Sequence, residues 1–133
     1  MKKTIIDLFE ASVKNYPNNT FLLEKIGKEW TKTTYTQVKE QVYQLGAGLQ
    51  ALGVKKGDNI ALLSEGRNMW VIGELAMFYA GAVNVPLSIK LEERNDLMFR
   101  LIHGDAVTCI GSLPCIDTPS RVMNERSRSV CSE

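Results

Sequence analysis

The sequence predicts an α/β fold: an N-terminal helix and a β-hairpin, followed by βαβαβ units over a mainly parallel sheet, as in an incomplete part of a larger domain. Three observations predict it. Helical apolar spacing alternates with short, nearly continuous apolar runs between residues 59 and 110, the pattern of strands buried on both faces with helices crossing between them. Two β-rich runs, 20–26 and 29–35, are separated only by Gly27-Lys28, which reads as a hairpin. At 133 residues, 44% hydrophobic and 23% charged, the chain has the size and make-up of one globular unit with a core.

The elements follow in order. Ile5, Leu8, Phe9, Val13 and Tyr16 recur at helical spacing, with Thr4 placed to cap the first turn and Asp7 to favour its positive end. Pro17 stops this helix, and Asn18-Asn19 turns the chain into the hairpin. Thr34 and Gln37 have capping-box spacing, and the helix they open carries Val38, Val42, Leu45, Leu49 and Leu52 on one face and ends at Gly53. The charged turn Lys55-Lys56-Gly57-Asp58 leads into an apolar strand, 59–64. Asn68 is placed to cap a helix over 69–79 that is apolar on most sides, and Gly81 releases the chain into a strand over 82–86. A further helix is expected over 92–103 with Leu97, Met98, Leu101 and Ile102 inward, then a strand over 107–110. Parallel strands joined by helices imply right-handed crossovers. From Ser112 the sequence turns to Ser, Arg, Cys, Asn and Pro with almost no periodic apolar positions, and disorder is expected there. The division is therefore 1–105, the folded portion, and 106–133, a divergent, partly disordered tail.

Charge and cysteine content narrow the function classes. Sixteen Lys plus Arg against 15 Asp plus Glu give a net charge of +1, too little to recruit nucleic acid or an anionic membrane by steering. The basic start Met1-Lys2-Lys3 is followed by Asp7 and Glu10, which leaves no apolar run long enough for a secretion signal. The apolar stretch 69–87 carries Glu74 and closes with Asn84 and Pro86, so it reads as a buried helix and strand rather than a membrane span. Cys109, Cys115 and Cys131, an odd number without framework spacing, read as reduced thiols. A cytoplasmic location is expected.

Each motif in the chain carries a chemical requirement of its own. Gly46-Ala47-Gly48-Leu49-Gln50-Ala51 matches the dinucleotide fingerprint, but it lies inside a helical pattern instead of between a strand and a helix start, so close helix packing is its reading. His103, the single histidine, has no nucleophile pattern beside it and suits a helix end. Cys109 and Cys115 lack the further ligands of a tetrahedral metal set. Arg121, Arg126 and Arg128 lie among serines and glutamates without aromatic residues for base stacking, and read as a solvated tail. In open α/β sheets ligands gather beyond the carboxyl ends of the strands. Asp58, Glu65 and Arg67 sit at strand ends, and the loop from Ser64 to Arg67 is the best-placed polar cluster. No catalytic, cofactor-binding or metal residue is assigned.

The residues also carry a family resemblance. Thr34-Tyr35-Thr36-Gln37-Val38, then Gly53-Val54-Lys55-Lys56-Gly57-Asp58-Asn59-Ile60-Ala61-Leu62, Trp70, and Ala80-Gly81-Ala82-Val83-Asn84-Val85-Pro86-Leu87 stand in this order. They resemble the early part of an AMP-forming acyl-CoA synthetase, an adenylate-forming enzyme, and Phe99-Arg100-Leu101-Ile102-His103-Gly104-Asp105 is similar to the continuation in bacterial long-chain fatty-acid members. The resemblance covers about Thr4 to Asp105. It implies, for the whole enzyme, a fatty acid, ATP, Mg and CoA as reactants and cofactors: carboxylate adenylation, then thioester formation. The family's phosphate loop, its adenine and ribose contacts and the lysine of its small C-terminal domain have no matching position here, so this chain is expected to be inactive alone and to need no cofactor of its own.

The composition after Asp105 resembles an out-of-frame ending, so a truncated or frameshifted synthetase product, or an incompletely read gene, is expected, with a tail of independent function as the alternative. Two further readings stand beside the ligase: a free-standing α/β binding module without catalysis, and an interaction fragment. Sheet edges and helix faces left uncovered imply self-association.

Overall fold

The computed structural model describes residues 3–88, 90, 94–111 and 128–131. Ten elements follow one another: α1 (Ile5–Asn15), β1 (Thr20–Ile26), β2 (Glu29–Thr34), α2 (Tyr35–Ala51), β3 (Asn59–Leu63), α3 (Asn68–Tyr79), β4 (Val83–Pro86), α4 (Arg94–His103), β5 (Ala106–Gly111) and β6 (Arg128–Cys131). The α/β class holds. β1 and β2 form an antiparallel two-stranded sheet, and the other four strands form a second sheet in the order β4-β3-β5-β6, every neighbour parallel.

Local chemistry starts both early helices. The Thr4 hydroxyl accepts from the Asp7 amide at 3.1 Å while the Asp7 carboxylate accepts from the Thr4 amide at 2.8 Å. At α2, Gln37 N–H donates to the Thr34 hydroxyl at 3.3 Å and Thr34 N–H to the Gln37 side-chain oxygen at 2.9 Å. Each reciprocal pair satisfies two amide groups that a helix start leaves without partners. α2 closes over Gly53, whose φ of +93° is the left-handed conformation a glycine adopts without steric cost.

β3 is the centre of the larger sheet. Ile60, Ala61 and Leu62 are fully buried and Leu63 nearly so, and burial of each large apolar side chain contributes roughly 1.5–3 kcal/mol. Residues 60 and 62 share a face with Thr108 and Ile110 by register. α3 lies on that face, so close that a Cβ on Gly73 would sit 3.5 Å from Leu62 Cδ1 and 3.8 Å from Ile110 Cγ2. On the opposite face, a Cβ on Gly104, just past α4, would sit 3.5 Å from Val85 Cγ1. Right-handed crossovers demand this split, because β3-α3-β4 and β4-α4-β5 step in opposite directions along the sheet.

α2 packs on α3 through Gly46, where a Cβ would approach the Ala76 carbonyl oxygen to 3.3 Å, so the glycine run serves close helix packing. The hairpin is pinned by rings: Phe21 is stacked on Tyr35 at 4.5 Å and tilted against Phe9 at 5.7 Å.

Several expected positions shift. Only Phe9 and Val13 of α1 are buried; Ile5 and Leu8 are exposed, and Tyr16 is the exposed residue after the helix. Leu52 and Ile102, expected inward, are also exposed. Asn68 is the first residue of α3 rather than its cap: Arg67 holds the extended cap position, φ −105° and ψ 169°, and makes no side-chain capping bond, since a guanidinium has no acceptor for the helix amides. β6 pairs along β5 from Thr108↔Arg128 to Gly111↔Cys131, a strand within the segment expected to lack structure. The rest of that expectation, on residues 112–127 and 132–133, lies outside the described residues, as do Glu92 and Glu93 before α4.

One polar cluster ties the three packed helices together. The Glu10 carboxylate of α1 accepts from Lys39 Nζ at 2.6 Å and the Tyr43 hydroxyl at 2.6 Å, both on α2, and from the Tyr79 hydroxyl on α3. Desolvation raises the Glu10 pKa, but the bonds from Lys39, Tyr43 and Tyr79 and the Lys39 charge outweigh it and hold the carboxyl at about 2, against an ordinary 4.5. A carboxylate with a lowered folded-state pKa adds stability that is present above 4.5 and is lost as pH falls towards 2. In urea titrations across that range the wild-type chain is expected to lose more stability than Glu10→Gln, and the two converge at the acid end. Parallel pH dependence in both would show that the cluster contributes nothing.

Candidate functional site

Parallel sheets gather ligands at the carboxyl edge where the strand order reverses. Here that place is the carboxyl edge of β3 and β5, because β3 continues through α3 towards β4 and β5 leads away to β6. The loop 64–67 leaves β3 at this edge, beside Gly111 at the end of β5. Space is tight, since a Cβ on Gly111 would come within 3.1 Å of the Leu63 carbonyl oxygen.

The loop is a compact turn. Ser64 Oγ donates to the Glu65 carbonyl at 3.0 Å, Arg67 N–H to the same carbonyl at 2.7 Å, and Trp70 N–H to the Arg67 carbonyl at 3.0 Å. Glu65 and Arg67 form an exposed ion pair at 3.6 Å, worth little in water. Gly66, Arg67 and Asn68 face Lys25, Ile26 and Trp30 of the hairpin across an open groove. The first amides of α3, without a side-chain cap, open beside it. The groove therefore offers two cations, the Glu24 carboxylate, a ring and a helix start, and Ser, Cys and His are absent from its lining.

Of the predicted cluster the structure brings together Glu65 and Arg67 and separates Asp58. Asp58 precedes β3, where its carboxylate accepts from the Lys55 amide at 2.8 Å and its carbonyl from Val83 N–H at 2.8 Å. The five residues of β3, about 17 Å of strand, stand between it and the loop. Asp58 is a turn residue, not part of the candidate site.

His103 and Cys109 lie elsewhere in the fold. His103 is the last residue of α4 and stacks on Phe99 with ring centres 5.4 Å apart. Cys109 lies in β5, where burial pushes its thiol up to about 11, so it is protonated at neutral pH and a poor nucleophile. Cys115, Arg121 and Arg126 lie outside the described residues, and Arg128 opens β6. Among the described residues no group of three His, Cys, Asp or Glu could hold a metal ion. A second hollow, between Ile5 and Ile6 of α1 and Phe78 and Ala82 near the end of α3, is mainly apolar. Its threonine, Thr4, is already engaged with Asp7.

Sequence reasoning missed the Glu10 cluster and the groove under Trp30. Lys39 and Tyr43 stand at i and i+4 and so share a helix face, but nothing local points them at Glu10, 29 residues away from Lys39.

The family model for the AMP-binding enzyme matches residues 9–131. This chain belongs to that family. The match runs beyond Asp105, where the recognisable motifs stop, and takes in β5 and β6. Among curated relatives of the AMP-binding chain is a chloroplastic long-chain-fatty-acid–acyl-carrier-protein ligase of Arabidopsis thaliana, 29% identical over 62% of this chain and 11% of the relative. A mitochondrial medium-chain acyl-CoA ligase of Rattus norvegicus is 28% identical over 66% of this chain and 14% of the relative. The chain thus spans a small part of the length of the relatives it matches. Among solved structures, the N-terminal subdomain of Klebsiella oxytoca NpsA in complex with 3-hydroxybenzoyl-AMSN superposes with a TM-score of 0.78 at 25% identity, covering 98% of this chain and 30% of that one. The fatty acid AMP ligase of Legionella pneumophila shares the fold, with a TM-score of 0.71 at 22% identity over 80% of this chain and 19% of its own. The resemblance to the opening part of an acyl-CoA synthetase is borne out, and with it the α/β class.

The state of Cys109 can be checked directly. Iodoacetamide at neutral pH is expected to leave Cys109 unmodified in the folded AMP-binding chain and to alkylate it in urea, as read by peptide mass spectrometry. Rapid alkylation in the folded chain would contradict its burial.

Proposed function

We propose that this chain is the opening segment of an ATP-dependent fatty acid–CoA ligase, and that it serves as scaffold rather than as the reacting centre. In the complete reaction a fatty carboxylate attacks the α-phosphate of ATP with loss of pyrophosphate, and the thiol of CoA then displaces AMP from the acyl-adenylate. Support comes from the AMP-binding family match over residues 9–131, which carries the reading, and from acyl ligases among the relatives. The long-chain acid and the CoA step are part of the proposal, as is a cytoplasmic location; among the described residues no helix is long and apolar enough to cross a membrane.

The donor set supports the scaffold role. Phosphoryl chemistry needs preorganised cations and amides around the phosphates. The loop 64–67 has one glycine and no lysine, and the described residues offer no Mg²⁺ ligand cluster. Neither ATP nor Mg²⁺ fits these residues as a reacting site, so no step is routed through them. The free-standing binding module is not favoured by the family match.

Fatty-acid-dependent ATP–pyrophosphate exchange tests this reading. The 133-residue chain is expected to give no exchange above the enzyme-free rate. A chimaera in which residues 4–111 replace the matching segment of an acyl-CoA ligase is expected to fold and to retain exchange. Exchange by the chain alone, or a folded chimaera without any, would overturn it.

A further inference from the structure

The two faces of the β1–β2 hairpin carry opposite charge. The register sets Lys25 against Trp30 and Leu23 against Lys32, and because side chains alternate along a strand these four share one face. Glu24 lies opposite Thr31 and Ile26 opposite Glu29, so both glutamates fall on the other face. That second face turns partly inward: Leu22 packs against the core, and Glu24 and Thr33 are half-buried. The first turns outward, with Leu23 and Trp30 52% and 63% exposed and Lys25 and Lys32 exposed beside them. Lys28 adds a further exposed cation at the tip, next to Gly27. None of these lysines forms an ion pair among the described residues.

We infer that this outward hairpin face binds the surface of an anionic lipid bilayer. Leu23 and Trp30 supply the apolar contact: an aliphatic side chain gains from hydrocarbon, and an indole ring with its N–H suits the boundary between acyl chains and headgroups. Lys25, Lys28 and Lys32 flank them with the charge that anionic headgroups attract. The net charge of +1 gives no long-range pull, but lysines held against the headgroups act inside the Debye length of about 10 Å, where the local charge decides. A second copy of the chain is disfavoured as occupant, because face against face brings Lys25 and Lys32 of both copies together with no acid between them. Nucleic acid is disfavoured as well, because the face offers a single ring for base stacking and a leucine that gains nothing from phosphate. So few apolar side chains and cations make a weak, reversible attachment, short of a stable anchor. The inference does not depend on the ligase reading.

Co-sedimentation of the 133-residue chain with phosphatidylcholine vesicles, with and without phosphatidylserine, tests it. Binding is expected on the vesicles that contain phosphatidylserine and is expected to be at least roughly tenfold weaker on phosphatidylcholine alone. It is expected to shift tryptophan emission to the blue, and Trp30→Phe to remove that shift. Lys25→Gln and Lys32→Gln are each expected to weaken binding about fivefold, and Leu23→Ser and Trp30→Ser to weaken it with the charge unchanged. All of these positions are exposed, and circular dichroism checks that the variants fold. No binding to either vesicle overturns the inference. Binding indifferent to Lys25→Gln and Lys32→Gln overturns it, because another surface then holds the lipid. Binding that falls with the lysines but is indifferent to Leu23→Ser and Trp30→Ser overturns it too, because the face then recognises charge alone. Tighter binding of a single-stranded oligonucleotide than of the vesicles also overturns it and makes nucleic acid the partner.

Discussion

Burial of β3 on both faces is the constraint from which the rest of the structure follows. A strand whose residues 60–62 are all fully buried must be covered by helices above and below, and parallel neighbours on each side, β4 and β5, oblige the chain to cross over the sheet twice. Right-handedness then sends α3 to one face and α4 to the other. The inner face is deep, because α2 packs on α3 and α1 joins both. The outer face has α4 alone among the described elements, and this asymmetry leaves Phe99 and Ile102 in solvent.

Signals that act within a few residues were legible in the sequence. Thr4 with Asp7 and Thr34 with Gln37 announced two helix starts, Gly53 a helix end, and Asn-Ile-Ala-Leu-Leu a buried strand, because each outcome is decided by partners at most a turn away. Features that depend on pairing across the chain were not legible. Ile102 has the spacing of a core residue and points outward, since α4 meets the sheet over too narrow a strip to bury both its flanks. Asp58 and Glu65 looked alike as strand-end acids, yet they flank opposite ends of β3 and share no site. β6 is held in place by backbone pairing along β5, which asks nothing distinctive of its side chains, so an apolar periodicity could not reveal it.

The same distinction applies to the candidate site. Topology places the loop from Ser64 to Arg67 at the sheet's switch point, and its position could be argued from the strand pattern. Its chemistry could not, because the groove is completed by Lys25 and Trp30 of the hairpin, which is docked by long-range contacts such as those of the Phe21 ring with Phe9 and Tyr35. An exposed ion pair and an uncapped helix start provide positioning chemistry rather than reacting groups.

That account stands on β3 as the last element to open. Native-state hydrogen exchange measures it most directly, residue by residue. The account predicts that the amides of Ile60, Ala61 and Leu62 exchange only through global unfolding, with the same free energy that urea denaturation gives, while amides at the hairpin tip around Gly27 exchange far sooner. Exchange of the β3 amides as fast as those of the hairpin tip would contradict it, and the scaffold reading with it.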